Sequence, residues 1–285
     1  MPLPRLVALT VLAMIAFAGN SLLCRIALRD TGIDAASFTT IRLVSGAVVL
    51  WLVVRAKHSG STGSGNWLSA LALFAYAAGF SFAYLSLAAG TGALLLFGAV
   101  QATMIGYGIR SGESLRRLQV AGLALASGGL VGLLLPGLSA PPLHGSLLML
   151  GAGIAWGVYS LRGKGAGDPT RVTAGNFLRA APIAAALSVF MLDSAALDGA
   201  GIGYAIASGA LTSGLGYAIW YTVLPALKAT HAATIQLSAP AIAAAGGILF
   251  LGEPVTLRLV LASAAILGGI AMVIRALPKV ARQPG

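Results

Sequence analysis

Ten apolar runs, each close to bilayer-spanning length, follow one another with short connections between them. A helix needs roughly 20 apolar residues to cross the ~30 Å hydrocarbon core. The runs predict helices over residues 5–28, 36–54, 67–87, 92–109, 118–135, 143–161, 172–192, 202–224, 232–251 and 257–276. In lipid every backbone polar group must be satisfied internally, so helices and closed barrels are the only spanning solutions. Runs of this length select helices. The first run follows Arg5 and is rich in alanine, but it is too long for a signal-peptide core and a second apolar run follows at once. It is therefore read as a retained helix.

Composition closes off the soluble alternatives. Charged residues make up 9% of the chain and hydrophobic ones 58%, whereas a soluble domain carries about 25% charged residues to face water. The 38 glycines suit a membrane bundle, where small residues let helix backbones approach; Gly108 with Gly112 and Gly128 with Gly132 have the GxxxG spacing. A net charge of +11 would suit nucleic acid only on a soluble basic face. Here the positives sit in connections, and no nucleic-acid partner is expected. The single cysteine, Cys24, excludes an intramolecular disulfide and lies in an apolar run, as a small packing residue. His58, His144 and His231 fall near run ends without metal-ligand spacing. No metal site, cofactor or catalytic constellation is expected, and the chain is not read as an enzyme.

The connections also carry an orientation. On the side of the N-terminus lie Arg5, Arg55, Lys57, Arg110, Arg116, Arg117, Arg162, Lys164, Arg171, Lys228, Arg275, Lys279 and Arg282. The opposite connections hold Arg29 and Arg258 alone. Positive charge collects on the cytoplasmic side, so both termini are predicted there. A missing helix would scramble this alternation, which supports the count of ten. Lys228, beside Pro225 in a very short connection, is read as one more such charge. Residues 58–66, HSGSTGSGN, predict a short mobile linker.

The two halves match. Residues 15–22 (IAFAGNSL) align with 154–161 (IAWGVYSL), Arg42 with Arg179, Tyr84 with Tyr221, and Thr91 with Thr230. Gly112-Glu113 aligns with Gly252-Glu253, and Gly128-Gly129 with Gly268-Gly269. A unit with an odd number of spans must insert with opposite orientation the second time. The fold expected is therefore an all-α polytopic membrane protein: ten transmembrane helices as two inverted five-helix repeats, residues 1–137 and 138–285. Inverted repeats are a recurring architecture of secondary transporters.

The paired repeats, the Gly-Glu near the fourth/fifth and ninth/tenth helix junctions, the Gly-Gly in the last helix of each half and Ala239-Pro240 in the ninth resemble the drug/metabolite transporter superfamily, in its ten-helix EamA-type branch. Within that branch the sequence looks most like the YddG-type exporters of aromatic amino acids. The resemblance implies a multi-pass protein of the bacterial inner (plasma) membrane that exports neutral and aromatic amino acids through a central cavity by alternating access. Its partners would be that small-molecule substrate and membrane lipid, and a monomer is adequate for the task. A multidrug or other metabolite carrier is the alternative within the superfamily; a channel would show a selectivity-filter motif, and none is visible. Gln101 stands where the second half has Pro240, so the fourth helix is expected to be less bent than the ninth.

The first, third, fourth, sixth, eighth and ninth helices line the centre in that family. Their polar and aromatic residues give the substrate-binding candidates Phe17, Asn20, Phe80, Tyr84, Gln101, Trp156, Tyr159, Ser160, Tyr217, Trp220 and Gln236. Asn20 and Tyr159, Phe17 and Trp156, and Phe80 and Tyr217 are repeat pairs. Burying an amide or hydroxyl against lipid costs ~1–3 kcal/mol, so these groups should face protein or water. Arg42 and Arg179 are charges at membrane depth, where insertion costs ~2.5–3.5 kcal/mol each. Either can draw a substrate carboxylate, but their recurrence in both halves favours a structural or gating role. The seven Asp and Glu residues all lie in or beside connections, which argues against a proton or sodium relay at bilayer depth.

Overall fold

The computed structural model describes residues 1–56, 63–112, 115–137, 140–163, 166–227 and 235–275. Glu113, His58, Lys57, Lys164, Lys228, Thr230, His231, Lys279 and Arg282 lie outside these residues. The described residues form ten helices and no strand: α1 (Leu3–Asp30), α2 (Ala35–Ala56), α3 (Trp67–Tyr84), α4 (Ala89–Arg110), α5 (Arg117–Leu134), α6 (Leu143–Arg162), α7 (Pro169–Phe190), α8 (Gly199–Ala226), α9 (Ser238–Leu251) and α10 (Leu257–Arg275). Eight are long and apolar enough to cross a membrane by length and composition, the exceptions being α6 and the 14-residue α9. Large apolar side chains such as Val11, Leu71, Leu147, Phe190 and Phe250 stand exposed on the outside. In water such a surface marks an interaction site or an aggregation liability; around a bundle of spanning length it is the lipid face. The protein is an all-helical, multi-pass membrane protein.

Local chemistry sets where the helices begin and end. Asn66 accepts from the Ser69 amide (2.9 Å) to cap α3, Asp168 from Arg171 (2.8 Å) to cap α7, and Asp198 from Gly201 (3.3 Å) to cap α8, each satisfying an otherwise orphan N–H. Gly252, at φ 63°, ends α9 in the left-handed region that glycine enters freely. Pro240 follows a break in the helix: residues 235–236 are helical, Leu237 is a turn and α9 begins at Ser238. It lies in the first turn, where a missing N–H costs nothing, while Gln101 sits in the middle of a continuous α4. The halves thus differ at this place: the second has a helix break just before Pro240, and the first runs through Gln101 without one.

The helices pack mainly across the halves. α5 runs along α10, α2 along α7, and α4 meets α9. α3 lies on α6 and α7, as α8 lies on α1 and α2; α4 lies on α6, as α9 lies on α1. This set of contacts is unchanged when every helix is exchanged for the one five places on. The close approach of α5 and α10 uses Gly122 and Gly269, where a Cβ on either would strike the other's carbonyl oxygen. The GxxxG pair Gly128 and Gly132, by contrast, faces open space.

One element was not foreseen. Within α8, residues Ser208–Leu215 form a π-helix. The segment reads SGALTSGL, with small residues that let the widened turn sit against α2: a Cβ on Gly209 would strike the Arg42 carbonyl and the Ser45 hydroxyl. Packing gained there offsets the poorer helix geometry, and such segments concentrate at functional sites.

Candidate functional site

A continuous group of rings lies where the two halves interleave. Tyr76, at the middle of α3, is 4.8 Å from Trp156 and 5.5 Å from Phe80, centroid to centroid. Trp156 stacks at 5.2 Å on both Tyr159 and Tyr217. Tyr217 meets Phe17 at 5.8 Å and Phe177 at 6.0 Å, and Phe17 meets Trp220 at 5.9 Å. Phe80 meets Tyr84 edge-on at 4.7 Å. These spacings are in the range where ring pairs gain about 0.5–1.5 kcal/mol beyond burial.

Polar groups thread the rings. Asn20 donates through Nδ2 to the Tyr76 hydroxyl (3.3 Å), while its Oδ1 accepts from Ser208 (2.7 Å) and Thr212 (3.3 Å) of the π-helix. Arg42 donates through Nη2 to the same Tyr76 oxygen (3.0 Å) and through Nε to Ser213 (3.4 Å). Tyr159 shares its hydroxyl with Thr173 and Asn176, both at 3.4 Å. The side chains of α1, α2, α3, α6, α7 and α8 therefore converge on one buried, polar-and-aromatic centre.

The structure gathers Phe17, Asn20, Phe80, Tyr84, Trp156, Tyr159, Tyr217 and Trp220 here, and leaves other candidates aside. Gln101 is buried on α4 and Gln236 half-buried ahead of α9, and among the described residues no hydrogen bond joins either to the cluster. Ser160 donates to the Trp156 carbonyl of its own helix (2.8 Å). Tyr84 spends its hydroxyl on the Ala89 carbonyl (3.2 Å) and packs on Gly92. Sequence reasoning missed Tyr76, the hub, although a polar aromatic at the middle of the third helix is the same signal that marks the chosen residues. The two arginines also part. Arg42 is 1% exposed at the centre. Arg179 donates instead to the Ser64 carbonyl (2.6 Å) and to Gly175 of its own helix (2.9 Å).

Each end of the bundle carries a tie. At the end holding the N-terminus, residues 63–66, the described part of the expected linker, are seated on α7: Asn176 accepts from the Asn66 amide (2.9 Å), and Gly65, at φ 72°, has no room for a side chain beside it. Arg162 reaches Ser69 (3.2 Å) and Asn66 (3.3 Å) on the same side. At the far end, Glu253 accepts from the Ala89 amide at the start of α4 (2.8 and 2.9 Å) and lies 3.7 Å from Arg25. That helix terminus carries partial positive charge, which favours a carboxylate. Arg25 in turn donates to the Tyr84 carbonyl (2.8 Å), and Arg29 to that of Leu251 (2.9 Å). A cavity of about 350 Å³ opens beside this tie, lined by Arg25, Ser86, Thr91, Pro142, Glu253 and Thr256 among others. Among the described residues, no three His, Cys, Asp or Glu side chains gather to hold a metal.

Comparison with known proteins then places the chain. Residues 143–275 match the EamA-like transporter family. An uncharacterized protein of Pseudomonas aeruginosa is 57% identical over 275 residues, 96% of each chain. This chain belongs to the EamA-like transporter family. More distant relatives of the transporter are named for an activity. The threonine/homoserine exporter RhtA of Salmonella typhimurium (strain LT2) is 32% identical over 144 residues, 48% of each chain, and that of Escherichia coli (strain K12) is 33% identical over 128 residues, 44% of this chain and 43% of its own. The transporter thus spans about half the length of these exporters. A solved crystal structure matches 93% of this EamA-like chain and 97% of its own, with a TM-score of 0.67 at 20% identity; at that identity the likeness shows the fold alone.

Proposed function

We propose that this EamA-like transporter exports small neutral amino acids, aromatic ones among them, across the bacterial inner membrane by alternating access. The carrying observation is the buried centre in which Asn20, Tyr76, Trp156 and Tyr217, from both halves, set hydrogen-bonding groups among ring faces. Amide and hydroxyl groups match a polar backbone, and the rings match an apolar or aromatic side chain. The RhtA exporters support the substrate class. The exchange of packing partners between halves supports an inverted repeat over residues 1–137 and 138–285, with both termini cytoplasmic. In the proposed cycle the seat of residues 63–66 on α7 and the Glu253–Ala89–Arg25 tie open in turn, one on each side.

Purified protein reconstituted in liposomes, given labelled threonine, methionine and phenylalanine, tests this. The expected result is saturable uptake of at least one that unlabelled amino acids compete away. Uptake that stays linear and uncompeted across a broad amino-acid panel would remove the assignment.

A further inference from the structure

Among the described residues, Arg42 is a charge without a counter-ion. Its side chain is 1% exposed, two turns into α2. The ion pairs among the described residues are Arg25–Glu253 and Arg29–Asp30, both at the far end of the bundle. What neutralises Arg42 is one phenol oxygen, one serine hydroxyl and two ring faces, Phe80 at 4.9 Å and Tyr76 at 5.3 Å from Cζ. A guanidinium has five N–H donors. Two are used here, and Nη1 is buried with no hydrogen-bond partner. Leaving a charged donor unmet in the interior is strongly unfavourable, and ionisable side chains at membrane depth mark ion and substrate pathways.

The free side of the guanidinium has the right form for a carboxylate. Nη1 has no partner and Nη2 keeps one N–H beyond its bond to Tyr76, donors of the kind that bind a carboxylate in bidentate fashion. The π-helix is a second and independent mark of a site here: it brings Ser213 to Arg42 Nε and Ser208 and Thr212 to Asn20.

We infer that Arg42 anchors the carboxylate of the substrate, with Asn20, Tyr76 and the Trp156–Tyr217 stack receiving the rest of the molecule. The inference deepens the reading above and rests on it. A single positive charge among uncharged groups selects a ligand carrying one carboxylate and an uncharged side chain. It disfavours acidic side chains, which bring a second negative charge, and basic ones, which bring a further positive charge.

The test uses full-length protein in proteoliposomes. Uptake of whichever labelled amino acid is transported is competed with the same amino acid, its methyl ester and its decarboxylated amine. The wild type is expected to prefer the free acid at least tenfold over both. Arg42→Gln should abolish that preference, Arg42→Lys should keep part of it, and Arg179→Gln should leave the ratio unchanged. A merely structural Arg42 would lower stability without moving the ratio. The substrate-induced rise in melting temperature in detergent should likewise vanish in R42Q. If R42Q does not fold, the wild-type ratio decides alone: an ester that competes as well as the acid overturns the anchor, as does a folded R42Q that keeps the preference. If no amino acid moves but another carboxylate does, with the same dependence on Arg42, the amino-acid assignment falls and the anchor stands. If no carboxylate stabilises or crosses, both fall.

Discussion

Two residues at the centre are held in place by what their neighbours lack. Gly209 leaves the space in which α8 lies on the Arg42 carbonyl and Ser45, so the width of one Cβ bears on how near Ser213 comes to the guanidinium. Gly209→Ala should cost about 1–3 kcal/mol through overpacking, read as a lowered melting temperature in detergent; a variant that melts with the wild type would show that the π-helix shifts freely. Tyr76 is the other. Its single hydroxyl accepts from both Asn20 and Arg42, which joins α1, α2 and α3 through one oxygen. Phenylalanine there would leave two buried donors unmet.

At the scale of elements, the loops are tied by carboxylates at helix starts. Asp34 accepts from Ala36 and Ser37 (both 2.9 Å) at the start of α2, and from Ala196 (3.0 Å) in the α7–α8 connection. Burial raises its carboxyl, but hydrogen bonds from Ser37, Ala196 and Ala36 outweigh this and hold it below the usual carboxylate range. A lowered folded value means that the contribution is full above the ordinary carboxylate range and is lost as pH falls through the folded value. Asp34→Ala should therefore lower stability at neutral pH by about 1 kcal/mol, the usual worth of a cap, and the gap to wild type should close in acid. Thermal melts from pH 7 to pH 3 check it; a gap that does not narrow would assign the effect to packing. Glu253 ties α4 to the α9–α10 connection by the same chemistry, and in the proposed cycle this tie is what opens at that end.

For the molecule as a whole, the proposed orientation makes a labelling prediction. The chain has one cysteine, Cys24, buried, so Cys24→Ala gives a background free of thiols. Arg55, in the last turn of α2, and Ser194, just after α7, are exposed at the ends of corresponding helices of the two halves and at opposite ends of the bundle. Ser194→Cys should react with a membrane-impermeant maleimide in intact cells and Arg55→Cys only after lysis. The reverse pattern would invert the topology, and reaction of both would remove the inverted arrangement.

Element number, the lipid-facing surface and most of the central rings were legible without coordinates, because all three follow from local hydropathy and from likeness between halves. Spanning length forces helices wherever twenty apolar residues run together, and repeat pairs such as Phe17 with Trp156 and Phe80 with Tyr217 do meet in one cluster. The rest depended on contacts between residues far apart in the chain. Arg42 and Arg179 look alike in sequence, yet one points into the interleaved centre and the other onto residues 63–66. Tyr76 carries the same signal as the chosen rings, a polar aromatic at mid-helix, but only the packing makes it their hub. The π-helix arises from the fit of Gly209 against α2, which no property of the segment SGALTSGL by itself contains. Composition and periodicity determine what each stretch becomes in lipid; which polar groups share the buried centre, and which are left unmatched there, is decided only when the two halves pack through each other.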